Sequence, residues 1–425
     1  MIAVSKQKRP GSPAQAAEQR ESGPIRVLAL MEAYSLTGPA KNLLQFATRA
    51  AQPRPGFRQA QVAVATFQRS RSGAALENDF IRACQRAQIE LHVIPERCAF
   101  DPRILLAFRE LLMSVKPAIV QTHSVKSHFL MKLIGRPRPF KWIAFHHGYT
   151  WPNIKMRMYN QLDRVSLLSA DRVITVSRPF ACELEKIGVP KERVDVHHNA
   201  VKPFVPASAE EVVELRTRLA IPEEAAVILT VGRLSREKGH IDLIEALVRV
   251  HQANRKRVVR LVIVGDGRER EHIQHRAHQA GIANLIIMPG HQSEIAKYYS
   301  AADLVVLPSH SEGCPNVLLE AMSAGIATVA TRVGGVPEIA TPEQDSLLVE
   351  KGDCDAMARA INRLLDNPRL RECLGKAAQV RAEAFTVEAY CDGIVSTYGE
   401  VLGTSTFSEE VVFSRGREVC SGRAE

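Results

Sequence analysis

Short apolar runs alternate along the chain with longer segments in which apolar residues recur at helical spacing. In the first half the apolar runs predict strands at 25–30, 61–66, 91–95, 118–123, 142–147, 172–177 and 194–199. In the second half they predict strands at 227–232, 260–265, 285–290, 304–309, 327–333 and 346–350. Helical patterns such as 239–252 and 316–324 lie between them. Because apolar strands joined by helical crossovers form parallel sheets covered on both faces, we predict an α/β chain with two doubly wound units.

The length of 425 residues suits two such units plus tails. The pattern is weakest at 202–225, which is rich in proline and charge near its ends, and we place the interdomain linker at its start. The predicted parts are a disordered N-terminal tail (1–23), a first Rossmann-like domain (24–203), a second Rossmann-like domain (204–386), a helix (387–402) and a disordered C-terminal tail (403–425). Two such domains enclose a central cleft, and ligands of open parallel sheets bind at the carboxyl ends of the strands.

Cysteine usage and hydropathy indicate the compartment. The eight cysteines are scattered without a CxxC pair, which favours a reducing environment and argues against a zinc or disulfide framework. No apolar run approaches the roughly 18 residues that a spanning helix needs. The first residues show no secretory signal pattern. We therefore expect a cytoplasmic protein.

The net charge of +10 is unevenly distributed. Residues 24–203 hold 27 Lys/Arg against 13 Asp/Glu, whereas residues 204–403 hold 22 against 27. A basic half favours an anionic partner, although a merely soluble basic surface is the alternative. Within it, the segment 123–141 mixes lysine and arginine with apolar side chains. Such a segment fits an anionic membrane surface, or else a solvated helix face. Aromatic residues on a basic sheet and a helix-turn-helix signature are missing, so we expect no nucleic acid partner.

Glycines punctuate three predicted strand ends. The stretch "VGRLSREKGH" (231–240) offers Arg233 and Lys238, whose charges suit a diphosphate, although a solvated loop explains them too. Gly38 opens a predicted helix whose first amides can face an anion, but an ordinary strand–helix turn is equally possible. The GDG at 265–267 fits a tight turn about as well as a nucleotide site.

The stretch "SHSEGCPNVLLEAMSAG" (309–325) carries two glutamates around a predicted helix start. Pro315 suits the first helical position, which leaves Glu312 in the loop above it. The amides of Asn316 and Val317 then become anion donors facing the cleft. Glu312 lies beside the same space, and Glu320 follows on the helix where a ribose diol can donate to it. An isolated exposed glutamate would need no function, but this paired arrangement favours a ligand site.

This combination resembles a known family. GRL…EKG, followed by E-x7-E within "SEGCPNVLLEAMSAGIATVATRVGGVPEI", is similar to the retaining nucleotide-sugar glycosyltransferases of family 4, which have the GT-B fold. The similarity covers about residues 25–402 and is densest at 227–350. It implies transfer from a UDP- or GDP-sugar to a glycan or lipid-linked acceptor, with retention and without a metal or other cofactor. It also implies polysaccharide, lipopolysaccharide or glycolipid synthesis, with peripheral association at the inner face of the membrane.

The resemblance also implies roles for individual residues. Glu312 would contact the donor sugar, and the histidine of "HHG" that lies near the transferred sugar would be His147 rather than His146. The helix at 387–402 would cross back to the first domain. Donor-binding positions would be Gly38, Arg233, Lys238, Gly313, Cys314, Pro315, Asn316, Val317 and Glu320. On the acceptor side we name His123 and Lys126, with helix capping as the alternative for His123.

Some residues depart from the family pattern. Gly38-Pro39 stands where a Gly-Gly pair is common, and Asn199-Ala200 stands where Asn-Gly is common. These departures leave the reaction class intact and the donor sugar open. A sugar-nucleotide epimerase, a phosphorylase, or a nucleotide-sugar-binding protein without activity are the alternatives. The adjacent pairs His146-His147 and His197-His198 point to opposite faces of strands, which is awkward for chelation, so we predict no metal site.

Overall fold

The computed structural model describes residues 23–55, 57–69, 78–98, 101–149 and 154–404. Within those ranges the chain forms two parallel sheets, each covered by helices on both faces. The prediction of an α/β chain with two doubly wound units is therefore confirmed. The tails predicted over 1–23 and 403–425 lie almost wholly outside the described residues.

The first sheet has seven described strands in the spatial order β3-β2-β1-β4-β5-β6-β7. The strands are β1 (Ile25–Leu30), β2 (Ala60–Arg69), β3 (Leu91–Glu96), β4 (Ile119–Thr122), β5 (Lys141–His146), β6 (Arg172–Thr175) and β7 (Val194–Val196). The helices of this half are α1 (Gly38–Ala50), α2 (Asp79–Arg86), α3 (Arg103–Val115), α4 (Val125–Ile134), α5 (Ile154–Leu167) and α6 (Arg178–Lys186). Strand order reverses between β1 and β4, where open sheets of this kind bind ligands.

The second sheet repeats this topology with six described strands in the order β10-β9-β8-β11-β12-β13. The strands are β8 (Ala226–Val231), β9 (Val259–Val264), β10 (Ile286–Gly290), β11 (Leu304–Leu307), β12 (Thr328–Thr331) and β13 (Leu347–Val349). The helices are α7 (Ala209–Arg218), α8 (His240–Ala253), α9 (Arg270–Gln279), α10 (Ile295–Ser300), α11 (Asn316–Ser323), α12 (Val336–Ile339), α13 (Cys354–Asp366), α14 (Pro368–Ala382) and α15 (Val387–Leu402). Here the order reverses between β8 and β11.

The predicted strand at 194–199 ends three residues early, at Val196. His197 still donates its backbone N–H to Thr175, but His198 and Asn199 then turn towards the second domain. His198 binds Glu338, and Asn199 binds Cys314. These contacts replace the strand ladder, and sequence periodicity carries no signal for such a change of partner.

The last helix, α15, belongs by packing to the first domain. Its buried residues Cys391, Ile394 and Tyr398 join the hydrophobic cluster that covers one face of the first sheet. Within the described residues the chain passes from one domain to the other at two points, and these run side by side, because Val201 donates its backbone N–H to Phe385. A further buried cluster spans the two domains, with Val176 and Phe180 of the first against Cys314 and Leu318 of the second.

Candidate functional site

The N-terminus of α1 lies against the N-terminus of α11 at the boundary between the domains. A Cβ built on Gly38 would be 3.2 Å from Nδ2 of Asn316, so even alanine would crowd this contact. No side chain caps α1 at Thr37 or α11 at Pro315. First-turn amides have no intrahelical acceptor, and the helix dipole is positive at that end. Two helix ends from two domains therefore offer anion-binding amides to one space.

The loop before α11 is seated on the first domain. Pro315 is the cap of the helix rather than its first residue, and Asn316 begins it. A Cβ on Gly313 would come within 2.6 Å of the Phe180 ring, so only glycine fits there. Asn199 donates its side-chain amide to the Cys314 carbonyl at 2.6 Å and to Oδ1 of Asn316 at 2.8 Å.

Cys314 and Val317 are packing residues within this loop and helix. The Cys314 thiol is buried and accepts the backbone N–H of Asn199, and burial raises its pKa to about 12. Val317 packs against the cluster under the second sheet. The donor-binding role predicted for these two residues would use their backbone amides, not their side chains, and it stays a prediction.

Glu312 and Lys238 form a direct ion pair. The Lys238 ammonium lies 2.7 Å from Oε1 of Glu312, and Ser309 donates its hydroxyl to the same oxygen at 2.6 Å. Glu312 is buried, so the pair holds a charge that would otherwise be costly there. Both contacts use Oε1, which leaves Oε2 for another donor.

Close backbone approaches fix the positions of both partners. Gly334 has φ +50°, and a Cβ on it would lie 1.7 Å from the Glu312 carbonyl oxygen. Gly335 donates its N–H to that same oxygen at 3.2 Å. Gly239, with φ +63°, lies against the Pro308 carbonyl, where a Cβ would come within 2.0 Å. These glycines let three loops stack without side chains between them, which brings Lys238 to Glu312.

The GDG at 265–267 has a packing explanation of the same kind. A Cβ on Gly265 would lie 1.8 Å from the Gly232 carbonyl oxygen, and one on Gly267 would lie 2.2 Å from that of Leu234. The tight turn left open by the sequence accounts for both glycines. They support the loop that carries Arg233 and Lys238.

Glu320 of α11 is held by a buried tyrosine. Tyr299 donates its hydroxyl to Oε2 of Glu320 at 2.8 Å, and burial raises the pKa of this tyrosine well above its ordinary value. Lys41 of α1 lies 3.8 Å from the other carboxylate oxygen. Glu320, the fifth residue of the eight in α11, therefore reaches across to the first domain from the middle of its helix.

His147 lies immediately after β5, beside His123 at the end of β4. Nδ1 of His123 is 3.3 Å from Nε2 of His147, and the two ring planes are within 13° of parallel with their centroids 5.6 Å apart. Burial lowers the pKa of His147 to about 3, with His146 and His128 adding to the effect. His146 is buried deeper and faces Asp163, which also binds His128 at 2.5 Å. The structure thus separates the adjacent histidines, with His147 at the more open position.

Two residues predicted to bind the ligands do not contact the other site residues. Arg233 is mostly exposed and binds Glu237 at 2.6 Å. Lys126 binds Glu96, whose side chain is fully buried, and lies over the Phe67 ring. Lys126 is therefore held inside the first domain by a carboxylate that the sequence did not single out.

The segment 123–141, which mixes basic and apolar side chains, is not one continuous element. It comprises α4, a connection and the start of β5, and Leu130 and Met131 are buried in the core. Arg138 pairs with Asp171 and its side chain is almost fully covered. The apolar side chains of this segment mostly serve the fold. Within the described ranges no helix has the length and apolar character needed to cross a membrane, and no three His, Cys, Asp or Glu side chains are grouped so that they could hold a metal.

Sequence reasoning missed several residues that build the site. Asn199, Ser309 and Tyr299 position the loop and both glutamates, and Glu338 joins the domains. Glu338 accepts the backbone N–H of Arg178 at 2.9 Å and binds His198 at 2.8 Å. The "GGVPE" run contained Glu338, but its partners lie more than a hundred residues away in the other domain. No local pattern indicates them.

Comparisons with known proteins agree with this geometry. Residues 212–381 match the family model described as glycosyl transferases group 1, and residues 52–203 match the model described as Glycosyltransferase Family 4. A D-inositol 3-phosphate glycosyltransferase of Thermobifida fusca is 33% identical over 245 residues, which cover 55% of this chain and 56% of that protein. The lipopolysaccharide core biosynthesis glycosyltransferase LpsD of Rhizobium meliloti is 30% identical over 226 residues, which cover 52% of this chain and 62% of LpsD. The chain spans about half the length of the curated relatives it matches.

A solved structure supports the fold over a longer range. The crystal structure of Anabaena HepE in complex with UDP-glucose superposes with a TM-score of 0.77 and covers 88% of this chain and 100% of that one. The sequence identity in this superposition is 18%, so the likeness concerns the arrangement of the two domains.

Proposed function

Because this chain belongs to the group 1 glycosyltransferases of family 4, we propose that it moves a sugar from a nucleotide diphosphate to a hydroxyl group of a glycan or lipid-linked acceptor. The donor is a UDP- or GDP-sugar, in keeping with the UDP-glucose bound by the HepE structure. The observation that carries the proposal is the meeting of two uncapped helix N-termini, Gly38 of α1 and Asn316 of α11, beside the Lys238–Glu312 pair.

The donor diphosphate is assigned to the space between these helix ends. Cleavage of the donor bond develops negative charge on the leaving diphosphate, and preorganised amides and an ammonium group stabilise that charge where it forms. The first-turn amides at Asn316 and Val317 supply one set, and α1 supplies the other. Lys238 is already oriented by Glu312, and Arg233 approaches from the loop surface once it leaves Glu237. The ribose is assigned to Glu320, whose carboxylate Tyr299 orients.

The transferred sugar is assigned to Glu312 and His147. Ser309 and Lys238 fix Oε1 of Glu312, so Oε2 is the acceptor for a sugar hydroxyl. We propose that the acceptor hydroxyl attacks the anomeric carbon from the face that the diphosphate leaves, which retains the anomeric configuration. A diphosphate oxygen takes the proton of the acceptor hydroxyl. In this scheme the chain supplies position and charge, and no metal enters a step.

The acceptor is assigned to the first domain and to a membrane surface. Large apolar side chains are exposed on three neighbouring helices, α3 to α5, namely Leu106, Met113, Leu133, Met158 and Val165. Exposed basic residues accompany them, namely Arg109, Lys116, Arg136 and Arg157. Exposed apolar and cationic groups on adjacent helices suit an anionic lipid interface. This outer face includes Leu133 and Arg136 of the segment 123–141, together with side chains of α3 and α5.

The first experiment is thermal stabilisation by UDP, GDP, ADP and their sugars, with and without a chelator. A ligand at about 100 times its Kd adds roughly 2.7 kcal/mol of stability. We expect a shift with one uridine or guanosine nucleotide, unaffected by the chelator and reduced in Lys238→Ala. Lys256→Ala is the matched control, since Lys256 is an exposed lysine near the opposite end of the second sheet. An unchanged melting temperature with every nucleotide and nucleotide sugar would contradict the donor assignment.

A further inference from the structure

A chain of hydrogen bonds runs from the last helix to His147. Tyr398 of α15 donates its hydroxyl to Oε1 of Gln121 in β4. Nε2 of Gln121 lies 3.0 Å from Nε2 of His123, and Nδ1 of His123 lies 3.3 Å from Nε2 of His147. Tyr398 and Gln121 are fully buried, so water does not compete for their polar groups.

The direction of each hydrogen bond in this series follows from Tyr398, where the series begins. Burial raises the pKa of Tyr398 well above its ordinary value, so its oxygen carries the proton and donates. The Gln121 oxygen accepts that hydrogen bond. The amide nitrogen of Gln121, which can only donate, therefore faces His123. Nε2 of His123 must then accept, and its single ring proton sits on Nδ1.

The same reasoning continues to His147. Nδ1–H of His123 donates to Nε2 of His147, so Nε2 accepts and the remaining proton sits on Nδ1 of His147. Burial lowers the pKa of both rings, with His147 and His128 adding to the effect at His123 and His146 and His128 adding to it at His147. Each ring therefore carries one proton near neutrality. Phe145 stacks on His123 at 4.4 Å, which fixes the plane of that ring.

We propose that Tyr398, Gln121 and His123 form a relay that holds His147 as the neutral Nδ1–H tautomer, which makes Tyr398 a positioning residue contributed by the crossover helix. His147 then presents an N–H donor, not a lone pair, to whatever occupies the site. A hydroxyl oxygen of the transferred sugar is the group that fits it. This last step rests on the proposed function, whereas the tautomer itself does not.

The tyrosines of α15 also pack on an aromatic side chain of the first domain. The Tyr398 ring contacts Phe46 edge-on at 5.8 Å, and Tyr390 on the same helix contacts Phe46 at 6.4 Å. Tyr390→Phe is therefore a matched control. It removes a tyrosine hydroxyl from the same helix and the same aromatic contact, outside the relay.

The test measures the tautomer directly by long-range ¹H–¹⁵N NMR of the histidine rings in the full chain, with signals assigned through His123→Gln and His147→Gln. We expect the proton on Nδ1 of both His123 and His147 in the wild type and in Tyr390→Phe. Gln121→Glu replaces the amide donor with a second acceptor oxygen, so it should move the ring proton of His123 to Nε2. Nδ1 of His123 then no longer donates to His147, and His147 is no longer held as the Nδ1–H tautomer. A wild-type spectrum with the His147 proton on Nε2 would overturn the proposal, even if a variant failed to fold.

Steady-state kinetics provide the second arm. Tyr398→Phe should lower kcat by about three- to tenfold, the loss typical of one neutral hydrogen bond, with the donor KM nearly unchanged. Gln121→Glu should lower kcat further. Equal kcat values in Tyr398→Phe and Tyr390→Phe, or an unchanged His147 tautomer in Gln121→Glu, would reject the relay. If no donor sugar is transferred by the wild type, the proposed function fails, while the NMR result still decides the relay.

Discussion

At the scale of single residues, the roles proposed for Glu312 and Lys238 can be separated by experiment. Glu312→Gln keeps the size of the side chain and loses the charge that Lys238 and Ser309 orient. We expect kcat to fall by roughly 10²–10³-fold, as when one preorganised transition-state contact is removed, with nucleotide binding retained. Calorimetric titration with the nucleotide, alongside rate measurement, separates the two effects. Glu350→Gln, an exposed glutamate paired with Arg332, is the control, and wild-type turnover in Glu312→Gln would refute the assignment.

Lys238→Met should act mainly on donor affinity, because it removes a cation from the space proposed for the diphosphate. It also leaves Glu312 buried without its partner, which is costly. The double variant Lys238→Met/Glu312→Gln should therefore be less destabilised than the sum of the single variants. Urea unfolding of all four proteins gives the coupling between the two residues. Additive effects would mean that the ion pair contributes nothing to the loop.

At the scale of elements, the stacked loops should tolerate no side chain at Gly334. Both Gly334 and Gly352 have positive φ, of +50° and +80°, so alanine costs about 1–2 kcal/mol of backbone strain at each. Only at Gly334 would the new Cβ also meet a backbone oxygen, that of Glu312, whereas nothing lies within 4 Å at Gly352. Gly334→Ala should therefore lose more stability and nearly all transfer activity. Similar activities in Gly334→Ala and Gly352→Ala would show that the loop position is unimportant.

Helix α15 should stabilise the first domain, from which it is distant in sequence. Ile394 is fully buried in the cluster under the first sheet, so Ile394→Ala should cost about 2–5 kcal/mol. Val380→Ala, at an exposed position of α14, should be close to neutral. Hydrogen exchange followed by mass spectrometry would locate the loss, and we expect faster exchange in β1, β4 and α1. Faster exchange confined to the second domain would contradict this packing.

At the scale of the whole molecule, the charge asymmetry predicts a salt-dependent membrane attachment. The first domain carries the excess of cations, and the exposed apolar side chains of α3 to α5 lie on it. We expect flotation with vesicles containing phosphatidylglycerol, and little with phosphatidylcholine alone. Binding should weaken as ionic strength rises, because screening shortens the range of the attraction.

The paired substitution Leu133→Glu/Val165→Glu should abolish this flotation. Both side chains are exposed, so the fold should survive the change. Val205→Glu/Val213→Glu, at exposed positions near the start of the second domain, is the matched control. Equal flotation of the two double variants would place the attachment elsewhere.

The sequence by itself determined the elements and their class. Apolar strands and helical periodicity are local properties, so both doubly wound sheets followed from them, as did the glycine-marked strand ends near Gly38 and Lys238. The loop-and-helix pattern around Glu312 and Glu320 is also local, because both glutamates and the helix start between them lie within seventeen consecutive residues, 309–325.

Only the tertiary structure decided which of these residues meet. It paired Lys238 with Glu312, left Arg233 on the surface with Glu237, and gave Lys126 to Glu96. It distinguished His147 from His146 by burial, and it brought Tyr398 to Gln121 from 277 positions along the chain. Such contacts depend on how two sheets and a returning helix pack. Periodicity contains no information about partners that far apart, so the site's connections had to come from the fold.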